Sequence, residues 1–489
     1  MLKKVVFIYE DSERPNQKVK EITGNKSFGE TILKRKTLKT RVLEEVEGES
    51  FIAAVFSYGN REEWEGVIQQ LKGLSKEFSV VHMRSSFGIR NAEAFKILLE
   101  KAQFAQHTMK IVENEKTALV LCKNLEEYIS YAMEYVDKQG IVSLKSLENT
   151  DNIHGEYLVD LGEVNNFLQY ITSGFDARFF NALDGDDFTV TKSSTNKKKI
   201  KSEYEYYYLL PEPMKMWFVM PFDYKETKDS ASYTMERVHT TDIAIRFVHG
   251  AVGLEEFRDI LERLFYFVNL RNTKQVSKEE YEKVAEKLYI GKVQERMAML
   301  KENQYYQVFD NNIKNGTEYD SIDQIVEQYE KLYEKVSGRD QSKSYLAVGH
   351  GDLCFSNILY HKETALMKLI DPKGAVTEEE LYAHPYYDLA KLSHSICGKY
   401  DFFNNGLYEI KIVKDMKLSL ELDFDNIEYV KIFKEYLEKN GYDYVTVRLY
   451  EASLFLSMLP LHMDNVQKTF GFLLNGIKIL KEVEECLKD

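Results

Sequence analysis

Cysteine is scarce in this chain of 489 residues: Cys122, Cys354, Cys397 and Cys486 are the only four. They are too few and too widely spaced for a disulfide framework, and no CxxC pair offers a zinc site. The chain therefore reads as reduced and cytoplasmic. Proline is also rare, at 7 residues, which leaves little room for stiff extended linkers. No run of about 18 uncharged apolar residues occurs, so no membrane-spanning helix is expected. Positive charge is in the minority. The 65 Lys and Arg against 79 Asp and Glu give a formal net charge of −14, a field that repels phosphate backbones and excludes nucleic acid as the main partner. What is plentiful is aromatic, with 33 Tyr and 28 Phe. The remaining composition is that of an ordinary globular protein, and the length allows at least two domains.

Residues 1–165 alternate β-rich runs with amphipathic stretches. VVFIY (5–9), FIAAVFSY (51–58), FSVVHM (78–83) and TALVLC (117–122) predict strands, and 60–74, 90–106 and 125–139 carry helical periodicity, which together predict an α/β domain with a mostly parallel sheet. The opening MLKKVVFIYEDSERP reads as its first strand, not a signal peptide. GNKSFG (24–29) lacks both the Walker Lys-Ser/Thr ending and the GxGxxG spacing, so it reads as a turn. VVHMRSS (80–86) places His82, Arg84 and two serines at a strand end, where open sheets bind ligands. The role of this domain is open.

A second β-rich segment spans 166–240. Residues 175–194 predict a hairpin turning at Asp184-Gly185, and KKKIKSEYEYYYLL (197–210) predicts a helix stopped by Pro211. WFVMPFDY (217–224) and SYTMERV (232–238) predict two further strands. From 241 to 489 the pattern is dominated by long helices, among them 253–271, 278–302 and 321–338.

The chemistry concentrates in AVGHGDLCFSNILYHKETALMKLIDPKGA (347–375). Two short apolar runs flank a charged turn at Lys362-Glu363. Paired as a hairpin, they bring Asn357 and Asp371 to one end, with Asp352 on the preceding loop. Oxygen donors of this kind suit Mg²⁺, which keeps several waters and shares substrate phosphates. The remaining carboxylate can take a proton from an incoming hydroxyl. An Asp or Asn beside a strand is usually only a cap; it is the full set in this order that points to catalysis.

HGDLCFSN (350–357) resembles the His-Gly-Asp-x-x-x-x-Asn signature of the aminoglycoside phosphotransferase and choline kinase family, the small-molecule branch of the protein-kinase-like fold. IDPKG (370–374) stands where protein kinases have Asp-Phe-Gly, and HPYYDLAKLSHSICGKYD (384–401) resembles the helix that follows. The resemblance covers about residues 170–489. It implies a bilobal α+β domain, with a β-rich N-lobe over 166–240 and a large helical, catalytic C-lobe over 241–489. It also implies ATP- and Mg²⁺-dependent phosphotransfer to a hydroxyl of a small molecule, a sugar or an amino alcohol such as choline. The two-part layout is similar to that of proteins from bacterial surface-polysaccharide loci. A nucleotide-binding scaffold without activity, and a kinase acting on a protein side chain, are the alternatives.

Carried over residue by residue, the resemblance makes Asp352 the catalytic base, Asn357 and Asp371 the Mg²⁺ ligands, and His350 and Asp388 structural braces of the loop. Gly351 occupies the position of the arginine that couples protein kinases to a phosphorylated segment. Lys192 is the phosphate-gripping lysine and Glu205 its partner, with Glu203 the alternative. SGFDARFFNAL (173–183) holds the place of the phosphate-covering loop without its glycine pattern, leaving Ser173, Gly174 and backbone amides for that contact. TMERV (234–238), with Glu236 and Val238, is the adenine hinge. His462 and Asp464 are candidates to face the acceptor. Cys354 has no base assigned to it and is not expected to act as a nucleophile.

Overall fold

The strands of the main sheet in the first third form largely on β-branched and aromatic runs. They are Val5–Glu10 (β1), Ile52–Tyr58 (β2), Ser79–Arg84 (β3), Met109–Glu113 (β4), Lys116–Cys122 (β5) and Asp151–Asn152 (β6), in sheet order β2-β1-β3-β5-β4-β6. β1 pairs parallel with β2 and β3, and all six of its residues are buried, as expected of a strand covered on both faces. β4 also pairs parallel with β6, and the sheet is mixed only through β5, which runs antiparallel to both β3 and β4. The reason is local. Asn114 and Glu115 both adopt positive φ, 48° and 63°, the two-residue turn that closes a hairpin and leaves no room for a crossover helix. Arg61–Leu71 (α1), Ala92–Lys101 (α2) and Leu125–Tyr135 (α3) each begin on an asparagine, Asn60, Asn91 or Asn124, whose side chain accepts a first-turn N–H.

Residues 24–29 fold around Asp11, whose carboxylate accepts from Ser27 Oγ (2.6 Å) and Gly29 N (2.9 Å). His82 points into the interior, where its Nε2 meets Glu10 Oε2 at 2.8 Å and its Nδ1 meets Tyr128 OH at 3.2 Å.

This computed structural model describes residues 3–33, 35–143, 150–173, 183–185, 188–337, 339 and 344–488. Two compact units are present: Met1–Phe180 with His249–Ala251, and Asn181–Val248 with Val252–Asp489. Among the described residues no helix is long and apolar enough to cross a membrane.

In the second unit, Leu183–Gly185 (β7), Thr189–Ser194 (β8), Pro221–Glu226 (β9) and Ala231–Glu236 (β10) form an antiparallel sheet ordered β7-β8-β10-β9. Asp184 and Gly185 lie within β7, opposite Thr191 and Val190, so they are paired strand residues and not the turn. Helix α4 (Lys197–Leu209) buries Ile200, Glu203 and Tyr206, and Ile200 packs with Ala231 and Tyr233 of the sheet. Helices follow, among them Leu254–Leu270 (α5), Lys292–Lys301 (α6), Tyr387–Ile396 (α7), Tyr444–Met458 (α8) and Val466–Cys486 (α9). Every residue of α8 from Val445 to Ser457 is buried. A helix surrounded in this way has no polar stripe, so it serves as the post against which α7 and α9 pack. Strand Tyr345–Val348 (β11) and the hairpin Ile358–His361 (β12) with Leu366–Leu369 (β13) complete the part that matters for the site.

Candidate active site

The loop after β11 is suspended from one carboxylate. Asp388, in the first turn of α7, accepts from the backbone N–H groups of His350 (2.9 Å) and Gly351 (2.8 Å) and from Arg271 Nη1 (3.1 Å). Arg271 and Asp388 side chains are 2% and 1% exposed. His350 Nε2 lies 2.9 Å from the carbonyl of Ile370 and must donate to it. Its Nδ1 then accepts from Asp352 N at 3.2 Å. The imidazole stacks on Phe218, and burial lowers its pKa, so it is a neutral brace whose one N–H is committed to the Ile370 carbonyl.

Gly351 has φ 79°, and a Cβ there would stand 2.6 Å from Lys373 Cβ. An arginine does not fit. Gly351→Ala should destabilise the unit by about 1–3 kcal/mol, read as a lower urea midpoint.

Hairpin β12–β13 has the register Ile358↔Leu369 through His361↔Leu366, with Ala365 N donating to Lys362 O across the turn. Its open end therefore carries Asn357 and Asp371, and Ile370 N donates to Asn357 O at 3.0 Å. Asp371 sits at φ 55°, a left-handed conformation that Asp and Asn tolerate better than most residues. Asn357 Nδ2 donates to Asp352 O (2.8 Å) and Asp352 Oδ2 (3.0 Å), while its Oδ1 accepts nothing from the described residues. An uncommitted amide oxygen beside the Asp371 carboxylate is a hard donor set. The described residues hold no cluster of three or more His, Cys, Asp or Glu side chains that could cage a metal, so these two donors suit a cation that keeps its waters, as Mg²⁺ does.

Lys192, on β8, joins two acids: its Nζ is 2.7 Å from Glu203 Oε2 and 2.8 Å from Asp371 Oδ1. The partner on α4 is thus Glu203, and Glu205 is corrected. Ile200, Glu203 and Tyr206 form the face of α4 that packs inward, whereas Glu205 is two residues off that stripe. Glu203 Oε2 also accepts from Tyr233 OH at 3.1 Å. Burial alone would lower the Lys192 pKa, but Asp371 and then Glu203 raise it on balance, keeping the ammonium charged.

Lys391, on α7, is the residue that sequence reasoning missed. Its Nζ lies 2.9 Å from Asp352 Oδ1, so both carboxylate oxygens of Asp352 are held. Burial pushes the Asp352 carboxyl up, yet Lys391 and the hydrogen bonds outweigh it and lower the pKa. The signal available was a single lysine in a helix otherwise buried from Tyr387 to Ile396. Cys354 is buried in the same loop, its thiol pushed up to about 12 mainly by burial, which leaves no thiolate for nucleophilic chemistry.

Gly174 is outside the described residues, and of Ser173 only its place at the end of helix Val164–Ser173 is given. Glu236 closes β10 opposite Thr189, exposed, and the Val238 carbonyl accepts from Thr240 N at 2.8 Å. His462 shapes the corner into α9, its carbonyl accepting from Thr469 Oγ1 (2.7 Å), and Asp464 is exposed beside it.

No protein-family model matches the chain, and no curated protein is similar to it. Solved structures similar to it include a thermostable mutant of aminoglycoside phosphotransferase APH(4)-Ia in its apo form, at 9% identity and TM-score 0.36, covering 61% of this chain and 92% of that one. Aminoglycoside phosphotransferase APH(3'')-Id from Streptomyces rimosus, in complex with ADP and streptomycin, is similar at 14% identity and TM-score 0.32, covering 62% and 98%. A putative fructosamine-3-kinase from Haemophilus somnus is similar at 10% identity and TM-score 0.34, covering 60% and 83%.

Proposed function

We propose that the chain is an ATP- and Mg²⁺-dependent phosphotransferase that acts on a hydroxyl of a small molecule. A sugar or an amino alcohol is the acceptor class in this reading. The observation that supports it is the convergence on one hairpin end: Asp352, Asn357 and Asp371 stand together, with Lys192 paired to both Glu203 and Asp371. Asn357 Oδ1 and Asp371 would hold Mg²⁺, which would supply positive charge against the ATP phosphates. Lys192, kept charged by its acids, grips the phosphates. Asp352 orients the acceptor hydroxyl and receives its proton. Its lowered pKa suits positioning more than strong basicity, which is what a loose phosphoryl-transfer transition state asks for.

The test is ADP release from the full chain with ATP and Mg²⁺ across a panel of hydroxyl metabolites. Nucleotide binding without turnover of any compound would favour a scaffold, and turnover only in the presence of cell-extract protein would favour a side-chain acceptor. The Lys192 assignment has its own check. Glu203→Gln should weaken ATP binding about 10–100-fold, the size of a lost charge-assisted hydrogen bond, while Glu205→Gln leaves it within about twofold. Titration with a non-hydrolysable ATP analogue measures both; equal losses would move the pairing away from Glu203.

A further inference from the structure

Two lysines flank one tyrosine ring beside Asp352. Lys391 holds Asp352 Oδ1 at 2.9 Å and stands 6.0 Å from the centre of the Tyr387 ring. Lys292 donates to Tyr387 OH at 3.2 Å and stands 5.6 Å from the same ring. Tyr387 is 6% exposed. Burial raises its pKa, but Lys391 and Lys292 beside it outweigh this and lower it on balance. Lys292 owes its place to a kink in its own helix. A π turn over Lys287–Gly291 separates helix Lys278–Glu286 from α6. Its extra residue turns everything after it by about 100°, and Tyr289 in that turn is fixed by stacking on Tyr450 at 3.6 Å.

The charges do not cancel. Lys391 is neutralised by Asp352, whereas Lys292 is paired with no carboxylate among the described residues; its polar contact is the tyrosine hydroxyl. A partly buried ammonium without a counter-ion is costly, and its position shows what could supply one. Asn357, on the proposed metal side, occupies Asp352 Oδ2. The Oδ1 side, where Lys391, Tyr387 and Lys292 lie, is the side left for the acceptor.

We propose that the acceptor is an anion, whose carboxylate or phosphate group is bound by Lys292 and the Tyr387 hydroxyl while its own hydroxyl rests on Asp352. This rests on the phosphotransferase reading and narrows it. A hydroxy acid or a phosphorylated sugar meets complementary charge at Lys292, whereas choline or an aminoglycoside would meet an ammonium of its own sign there. Phosphoryl transfer forms a bond from the acceptor oxygen to the γ-phosphorus and breaks the bond from that phosphorus to the β–γ bridging oxygen of ATP. The hydroxyl proton passes to Asp352, and ADP leaves.

The experiment compares three sets of hydroxyl compounds in the ADP-release assay: neutral sugars and polyols, cationic amino alcohols and aminoglycosides, and anions divided into hydroxy acids and sugar phosphates. Turnover is expected in the anionic set, the two subsets telling carboxylate from phosphate. Lys292→Gln should raise KM for the active anion about tenfold or more, as loss of a charge-assisted hydrogen bond requires, and Lys292→Arg should restore most of it. Turnover confined to neutral or cationic compounds overturns the inference and leaves the phosphotransferase reading standing. A second measurement needs no acceptor. On protein saturated with Mg²⁺ and AMP-PNP, sulfate should give a saturable rise in melting temperature that Lys292→Gln abolishes. No sulfate effect, or an equal effect in the variant, overturns the inference; failure of AMP-PNP itself to bind overturns the function on which it rests.

Discussion

Asp371→Asn is expected to stop turnover while the protein stays folded. Asparagine shares the tolerance of aspartate for the left-handed φ of 55° at this position, and so separates chemistry from backbone strain better than alanine does. The exchange removes the charged donor of the proposed metal pair. Several kcal/mol of transition-state charge stabilisation disappear with it, equivalent to about a thousandfold or more in kcat. It also frees Lys192 from one of its two acids, leaving the 2.7 Å contact with Glu203 to hold it. Nucleotide binding should therefore persist but lose its dependence on Mg²⁺, measured by calorimetry with and without the cation. Phosphotransfer at a near-normal rate in this variant would refute the metal assignment.

Asp352→Asn is expected to lower kcat by about 10²–10⁴-fold with little change in ATP affinity, because the group acts on the acceptor hydroxyl and not on the nucleotide. Lys391 refines this expectation. It holds the Asp352 carboxyl below the usual carboxylate range, so activity that needs the ionised form should survive into acid. In Lys391→Met that depression is relieved, and the acidic limb of kcat/KM should move to higher pH. A profile with an unmoved acidic limb would mean that the lysine only packs beneath the loop.

What could be read from the sequence follows from how local each feature is. HGDLCFSN and IDPKG are joined by a hairpin of two short apolar runs, so spacing alone brings Asn357 and Asp371 to one end of it; no distant contact is needed. Glu203 against Glu205 was a different kind of question. Both lie on one helix, and which of them meets Lys192 depends on the face that packs inward with Ile200 and Tyr206, a tertiary fact. Lys391 was further out of reach, since its meeting with Asp352 depends on α7 docking beside the loop. In the first unit the buried strands were legible from their uncharged runs, but strand β4 was not. Its order in the sheet, and the mixed pairing that results, hang on the Asn114-Glu115 turn, two residues without the glycine that usually marks such a hairpin.

The suspension of the loop from Asp388 sets how this part of the protein breathes. The His350 and Gly351 amides donate to a carboxylate on a buried helix, itself ion-paired to Arg271. Neither amide can meet solvent unless α7 leaves its place against α8. In hydrogen–deuterium exchange these two should be among the slowest loop amides of the chain, opening with the helical core instead of ahead of it. A loop that exchanges only with its core has no separate melted state, so denaturant should remove activity and core structure at the same concentration.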